Sequence, residues 1–340
     1  MIIDVHTHHM PRSFLERALS DPARFQANVT KHGDENYQMR PDFWSTATFS
    51  ESYHFEPIHY DWAMRVANMD QMGIDKQIVS IGQSLNYSWA EVDVALEVAR
   101  LGNDELAAGM KEFPGRLFGI AAIPLQDPVA AGEELTRAVK DLGLKGVQLL
   151  SNIEGHNLDE AGLDLLYGHI EDLGVPIFIH PYGALNHPRM TPHFLANVVG
   201  FPAEQAMAGA SLIFGGVLDR YPGLRIFLGH GGGAFPYLLG RIERGTIAMP
   251  ELMNCKEPVR DYLDSFFVDT LIHDDEAMTY ILKTLGADHV MLGTDWPYWM
   301  QDPHAIERVE RVTSALGLDA AAIFSNNAVR LFDLAASPSV

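Results

Sequence analysis

The 340-residue sequence predicts an α/β fold, a (β/α)8 TIM barrel with an insertion after the first strand. Three observations predict it. Short β-branched runs recur along the chain, eight of them, at residues 2–6, 76–81, 117–123, 146–150, 176–180, 225–230, 266–269 and 290–294. The stretches between them carry helix signals. The apolar fraction of 47% in a chain of this length supplies a large core, and one barrel of this kind takes about 250 residues or more. Strands that alternate with helices imply a parallel sheet. Eight such units point to a closed barrel, with a doubly wound open sheet as the alternative.

The helices are read from their ends. Asp127-Pro128 places a capping residue before a proline at the first helical position, and Gly143 follows the last turn. Val129, Leu135, Ala138, Val139 and Leu142 are read as one buried face. Residues 60–72 end at Gly73 in the same way, and 88–108 and 159–173 are similar. Residues 10–57 break the alternation. They are rich in aromatic and turn residues, including Phe43, Trp44, Phe49, Tyr53 and Phe55. The expectation is one domain over 1–340, with 10–57 as a lid-like insertion over the site.

Composition narrows the function. A formal net charge of −21 with no basic run excludes nucleic acid as the expected partner, because phosphate neutralisation needs a basic face. The single cysteine, Cys255, excludes an internal disulfide and a thiolate zinc site. No basic stretch followed by an apolar one opens the sequence, and no apolar run approaches the ~20 residues of a membrane span. A soluble, cytoplasmic protein without membrane contact is expected.

The chemistry gathers at strand ends. His6-Thr7-His8 closes the first run, and residues i and i+2 of a strand face the same side about 6.5–7 Å apart. The fifth run ends at His180, the sixth at His230, and the eighth leads into Asp295. A barrel collects those ends at one mouth, and ionisable groups buried together need partners. Three histidines and one aspartate suit zinc, manganese, iron or cobalt, and leave positions open for water or substrate. One divalent ion is expected, zinc first and manganese as the alternative. The run Gly231-Gly232-Gly233 has no following Lys-Ser/Thr, so it is not read as a phosphate loop. It is read as letting the backbone pass close to substrate or to the next helix.

The motifs Ile3-Asp4-Val5-His6-Thr7-His8, His180-Pro181, His230-Gly231-Gly232-Gly233 and Gly293-Thr294-Asp295-Trp296-Pro297 resemble the amidohydrolase superfamily. The run from Gly229 through Ala234-Phe235-Pro236-Tyr237 to Arg241, together with Phe267-Val268-Asp269-Thr270 and Ile213-Phe214-Gly215-Gly216-Val217, is similar to its aminocarboxymuconate-semialdehyde decarboxylase group. The resemblance implies that His6, His8, His180 and Asp295 hold the metal. It implies that His230 acts as acid and base on bound water or substrate, with Asp295 also at the catalytic centre. It implies that Arg241 grips a substrate carboxylate from the neighbouring subunit of a homodimer, a task suited to a guanidinium. The fourth run ends Gln148-Leu149-Leu150-Ser151, with Lys145 at its start. The bridging lysine of two-metal members is therefore missing, and one metal is expected.

The match has one gap. The group holds its substrate with an arginine before the first long helix, a position falling near Tyr53, and residues 41–64 contain neither Arg nor Lys. Arg12 or Arg40 of the insertion, or else Tyr53, His54 or His59, is expected to replace that contact, and Tyr182, His187, Trp296 and Trp299 to line the pocket. The reaction implied is metal-dependent, non-oxidative decarboxylation of an aromatic acid or a carboxymuconate-semialdehyde-type ring-cleavage product. The alternatives are a hydrolase or hydratase built on the same site, and a non-catalytic binding barrel.

Overall fold

A computed structural model describes residues 1–41, 53–183, 188–190 and 192–334. Its strands are β1 (Ile3–His9), β2 (Ala27–His32), β3 (Asn36–Pro41), β4 (Tyr53–Phe55), β5 (Lys76–Ile81), β6 (Leu117–Gly119), β7 (Val147–Leu150), β8 (Ile177–His180), β9 (Ile226–Leu228), β10 (Phe266–Asp269) and β11 (Val290–Met291). Among the described residues, eight parallel strands form the barrel. β1, β5 and β6 pair side by side, and β7 to β11 pair in sequence order. Two isolated parallel bridges, Ala121 to Val147 and Thr7 to Trp296, join the two sets into a closed ring. Backbone bonds complete the second seam: Val5 N–H donates to the Leu292 carbonyl at 2.9 Å, and Asp295 N–H to the His6 carbonyl at 2.8 Å. The chain is thus a (β/α)8 barrel, and the open-sheet alternative is excluded by this closure.

Alternation of side chains along the strands fills the ring. Ile3, Val5, Ile78, Ile120, Phe178, Phe227, Phe267 and Met291 pack together inside it, with Phe332 and Leu334. This apolar floor supports the polar mouth. Phe178 and Phe227 stack at 4.7 Å, and the edge of the His6 ring meets Phe178 at 5.0 Å.

The helices stand at Trp62–Met72, Val92–Glu112, Pro128–Lys140 and Asp164–Leu173; the first and last start later than read, the second is displaced at both ends, and the third starts at Pro128 as read. Asp127 caps its helix, accepting from Val129 N at 2.9 Å and Ala130 N at 3.1 Å. The expected buried face of that helix needs correction. Val129 is 59% exposed, and the buried face runs through Ala131, Glu134, Leu135 and Ala138. Six residues of helix rotate roughly 240° from Val129 to Leu135, so the two cannot share a face.

The insertion begins with the helix Arg12–Ser20 and a short turn of helix, Pro22–Phe25, then forms the antiparallel sheet β2-β3-β4. Its Phe14, Phe25, Tyr37 and Phe55 join the main apolar core. Glu105 of the barrel caps its first helix, accepting from Arg12 N at 2.8 Å and from Ser13 N at 3.0 Å. Phe43, Trp44 and Phe49 lie outside the described residues.

Candidate active site

The barrel mouth gathers the strand-end residues. His6, His8, His180 and Asp295 are buried and bring one ligand atom each to within 4.8 Å of one another. His6 and His8 share a face of β1, and their Nε2 atoms stand 3.2 Å apart. Asp295 Oδ1 lies 3.1 Å from His8 Nε2 and 3.7 Å from His6 Nε2, yet is buried without hydrogen-bond geometry to any described group.

Each imidazole is fixed from behind. His6 Nδ1 donates to Asp269 Oδ2 at 2.6 Å. His180 Nδ1 donates to the Pro181 carbonyl at 2.9 Å. His8 Nδ1 pairs with Ser80 Oγ at 2.9 Å, and Ser80 donates in turn to the Thr7 carbonyl. A carboxylate and a carbonyl only accept, so Nδ1 carries the proton in His6 and His180, and Nε2 keeps its lone pair. Two Nε2 lone pairs and a carboxylate oxygen facing each other in a buried space repel without a cation between them. This donor set fits a divalent metal.

His230 stands beside the cluster, its ring centroid 5.0 Å from that of His6 and 5.3 Å from that of His180. It was expected at the end of a strand. Instead β9 stops at Leu228, and His230 opens a short turn with φ of +56°. Asp295 also has positive φ, +62°. Such backbone costs a non-glycine residue on the order of 1–3 kcal/mol. It is over-determined here: Asp269 accepts from His230 N at 3.1 Å and Gly231 N at 2.7 Å. Gly233, at φ +55°, passes so close to the preceding helix, Phe201–Phe214, that a Cβ would lie 2.4 Å from the Pro202 carbonyl oxygen. The glycine run therefore serves a close backbone approach, to the helix before it rather than to the next.

Burial sets the protonation states. It pushes His8 down, and His180 well below the ordinary histidine range, with the neighbouring imidazoles adding to the effect on His180. It pushes His230 down to about 4. Burial also opposes charge on His6, but the Asp269 carboxylate outweighs it and raises that group. Beneath the site, burial lifts Asp4 to about 6 against the bonds it accepts from Thr294. Burial lowers the Arg65 guanidinium to about 9. Arg65 donates to Gln77 Oε1 at 2.9 Å and to the His8 carbonyl, and lies 4.4 Å over the Trp296 ring.

A cavity opens above the cluster. His180, His230 and Asp295 form its base, and Tyr53, His54, Phe55, His59, Gln83, Asn197, Phe201, Tyr298 and Trp299 are among its walls. Of the expected contacts, Tyr53 is brought there, as are His54, His59 and Trp299. Trp296 is not: it is 2% exposed and packed under Arg65. Tyr182 is half-buried and does not line the cavity, and Arg241 is exposed on the helix Phe235–Ala248. His187 lies outside the described residues. Asp269, Ser80, Gln83 and Tyr298 were not singled out as site residues. Asp269 carried a usable signal, since it ends the seventh strand at the same mouth as the others.

A family model described as amidohydrolase matches residues 3–334. A 2-amino-3-carboxymuconate-6-semialdehyde decarboxylase of Dictyostelium discoideum is 38% identical over 241 residues, covering 70% of this chain and 67% of that protein. A gamma-resorcylate decarboxylase of Rhodococcus jostii strain RHA1 is 33% identical over 288 residues, covering 80% of this chain and 87% of that protein. Among solved structures, a dihydroxybenzoic acid decarboxylase of Polaromonas sp. JS666, with bound manganese and the inhibitor 2-nitroresorcinol, superposes with a TM-score of 0.78. It is 25% identical and covers 99% of this chain and 98% of that one.

Proposed function

The chain belongs to the amidohydrolase family, and on that premise we propose that it is a metal-dependent, non-oxidative decarboxylase. Its substrate is an aromatic acid or a carboxymuconate-semialdehyde-type ring-cleavage product. The observation that carries this reading is the buried donor set with His230 beside it, in a chain whose relatives are decarboxylases. His6, His8, His180 and Asp295 would hold one divalent ion. Zinc is the ion proposed, with manganese tested beside it because the Polaromonas enzyme carries manganese. When bound, the ion supplies Lewis-acid stabilisation of the negative charge left on the substrate as CO2 departs.

The chain's own residues do the rest. Phe55 and Phe201 help to exclude water from the cavity. His230 is neutral near pH 7, and its Nδ1 is buried with no hydrogen-bond partner among the described residues. The imidazole is thus placed to relay a proton from solvent to the carbon from which CO2 leaves. Residues 10–57 act as the lid of a single domain, a role supported by Tyr53, His54 and Phe55 on the cavity wall. The protein works as a homodimer, with Arg241 of one copy reaching the substrate carboxylate of the other. Support comes from Tyr237, one turn before Arg241 on that helix and 77% exposed beside it. No described helix is long and apolar enough to cross a membrane, and the proposed location is cytoplasmic.

The test is CO2 release from a panel of hydroxybenzoic, aminobenzoic and carboxymuconate-type acids by protein loaded separately with zinc and manganese. Metal-dependent release is expected. The His230→Ala variant should keep its metal and lose about 100-fold or more of the rate. Consumption of a substrate in labelled water with label in the product and no CO2 would replace this reading with the hydrolase or hydratase.

A further inference from the structure

The three histidines of the cluster are held from behind in three different ways. Behind His6 stands a carboxylate, Asp269, in direct contact. Behind His8, Ser80 passes the bond on to the Thr7 carbonyl, and the chain ends on a neutral group. Behind His180 the first partner is also a carbonyl, that of Pro181, but the chain does not end there.

The Pro181 carbonyl and the Tyr182 N–H are two halves of one planar peptide. That N–H donates to Ser151 Oγ at 3.2 Å, and Ser151 Oγ donates in turn to Glu204 Oε2 at 2.8 Å. A hydroxyl has one hydrogen, and the Tyr182 carbonyl competes for it only at 3.5 Å, so the carboxylate takes it. Asn152 completes the frame, its Nδ2 donating to Glu204 Oε2 and to the Tyr182 carbonyl, each at 2.9 Å. Ser151 N–H donates to the His180 carbonyl at 3.0 Å. Beside Glu204 on the helix Phe201–Phe214, Gln205 Nε2 donates to the Ile179 carbonyl at 2.9 Å. The peptide cannot turn without breaking bonds of this frame. Glu204 and Ser151 are both buried, and a carboxylate is tolerated there only where donors face it.

Every link points the same way. The imidazole Nδ1–H donates to a carbonyl, the N–H of that peptide donates to a hydroxyl, and the hydroxyl donates to an anion. Bonds aligned head to tail polarise one another. We propose that Glu204 is a positioning residue for the metal centre: through Ser151 and the Pro181–Tyr182 peptide it fixes the His180 tautomer and pushes electron density toward Nε2, as Asp269 does directly for His6. The proposal rests on the reading that the cluster holds a divalent ion.

The test begins with metal-free protein isotope-labelled at its histidine nitrogens. The Nδ1–H resonances of His6 and His180, assigned through His6→Gln and His180→Gln, report each bond without turnover. Glu204→Gln keeps the size of the side chain and removes its charge. It should move the His180 resonance to higher field, as a weaker hydrogen bond does, and leave that of His6 in place. Ser151→Ala removes the middle link and should let the Nε2–H form of His180 appear. Zinc affinity, from competition against a chromogenic chelator, should fall about tenfold in either variant. The double variant should lose no more than Ser151→Ala alone, because the two residues act in one chain. A His180 resonance unmoved by Glu204→Gln, an equal shift at His6, or losses of affinity that add in the double variant would overturn the proposal. Circular dichroism checks each fold, and if Ser151→Ala unfolds, Glu204→Gln decides through the two resonances. A parent protein that binds neither zinc nor manganese would instead sink the metal reading, and the resonances of the metal-free protein would still decide the relay.

Discussion

Asp269→Asn isolates the most consequential contact behind the proposed metal cluster. Asp269 is fully buried, and its two oxygens meet four donors. Oδ2 accepts from His6 Nδ1 at 2.6 Å and His230 N at 3.1 Å. Oδ1 accepts from Gly231 N at 2.7 Å and Leu271 N at 3.1 Å. An asparagine must put its NH2 in one of those places. Facing His6, it forces Nδ1 to accept, which moves the ring proton to Nε2 and removes the lone pair that would ligate. Facing Gly231 and Leu271, it leaves two buried donors without acceptors, at about 1–3 kcal/mol each. The first arrangement is the less costly, because only the His230 N–H is then orphaned. Metal affinity should therefore fall about 10–100-fold, a loss of roughly 1.4–2.8 kcal/mol, with a smaller fall in stability. Competition against a chromogenic chelator measures the affinity, and urea unfolding of the metal-free protein measures the stability. Affinity within twofold of the parent protein would refute the tautomer argument, and a large stability loss with unchanged affinity would mean that Asp269 serves the Gly231 turn rather than His6.

Three further outcomes follow from the same geometry. Arg65→Met leaves Gln77 Oε1 and the His8 carbonyl without their buried donor, and should cost about 3 kcal/mol in urea unfolding; a gain would mean that burying the guanidinium outweighs its contacts. Glu134 is buried and accepts from Arg137, Asn103 and Arg100. Burial opposes its charge, but these donors hold it below the ordinary glutamate value of 4.5. A folded-state pKa below the unfolded one stabilises above that value and is lost as pH falls through the folded one. Glu134→Gln should therefore begin about 2 kcal/mol less stable at pH 7 and show a shallower decline below pH 4.5 in thermal melts. Removing metal with a chelator should lower the melting temperature by several degrees, since ligand at 100 times its Kd stabilises by about 2.7 kcal/mol. A melting curve indifferent to zinc and manganese would mean that the cluster holds no ion.

How much of this was legible in the sequence depends on whether the signal was local. The eight strands were, because a parallel barrel strand buried on both faces must be a short apolar run bounded by turns. The candidate ligands were legible for the same reason: His6, His8 and His180 lie on β1 and β8 themselves, so strand position fixes them. His230 and Asp295 lie just past their strands in turns of positive φ. Sequence placed them at the mouth but not in the turn that aims them. Val129 was misassigned because an apolar residue in a helix's first turn looks like core until the rotation to Leu135 is counted. Trp296 was misassigned through its neighbour: a residue after a ligand lines the pocket only if the turn points it inward, and here Arg65 holds it below.

The cavity walls were least legible, because they are built from residues with no shared pattern. Tyr53 belongs to an inserted antiparallel strand, Gln83 follows β5, and Tyr298 follows the last ligand. Only tertiary closure brings them together. What sequence did carry about the substrate was an absence, the missing Arg or Lys in residues 41–64. Among the described residues, the cavity lining likewise holds neither Arg nor Lys.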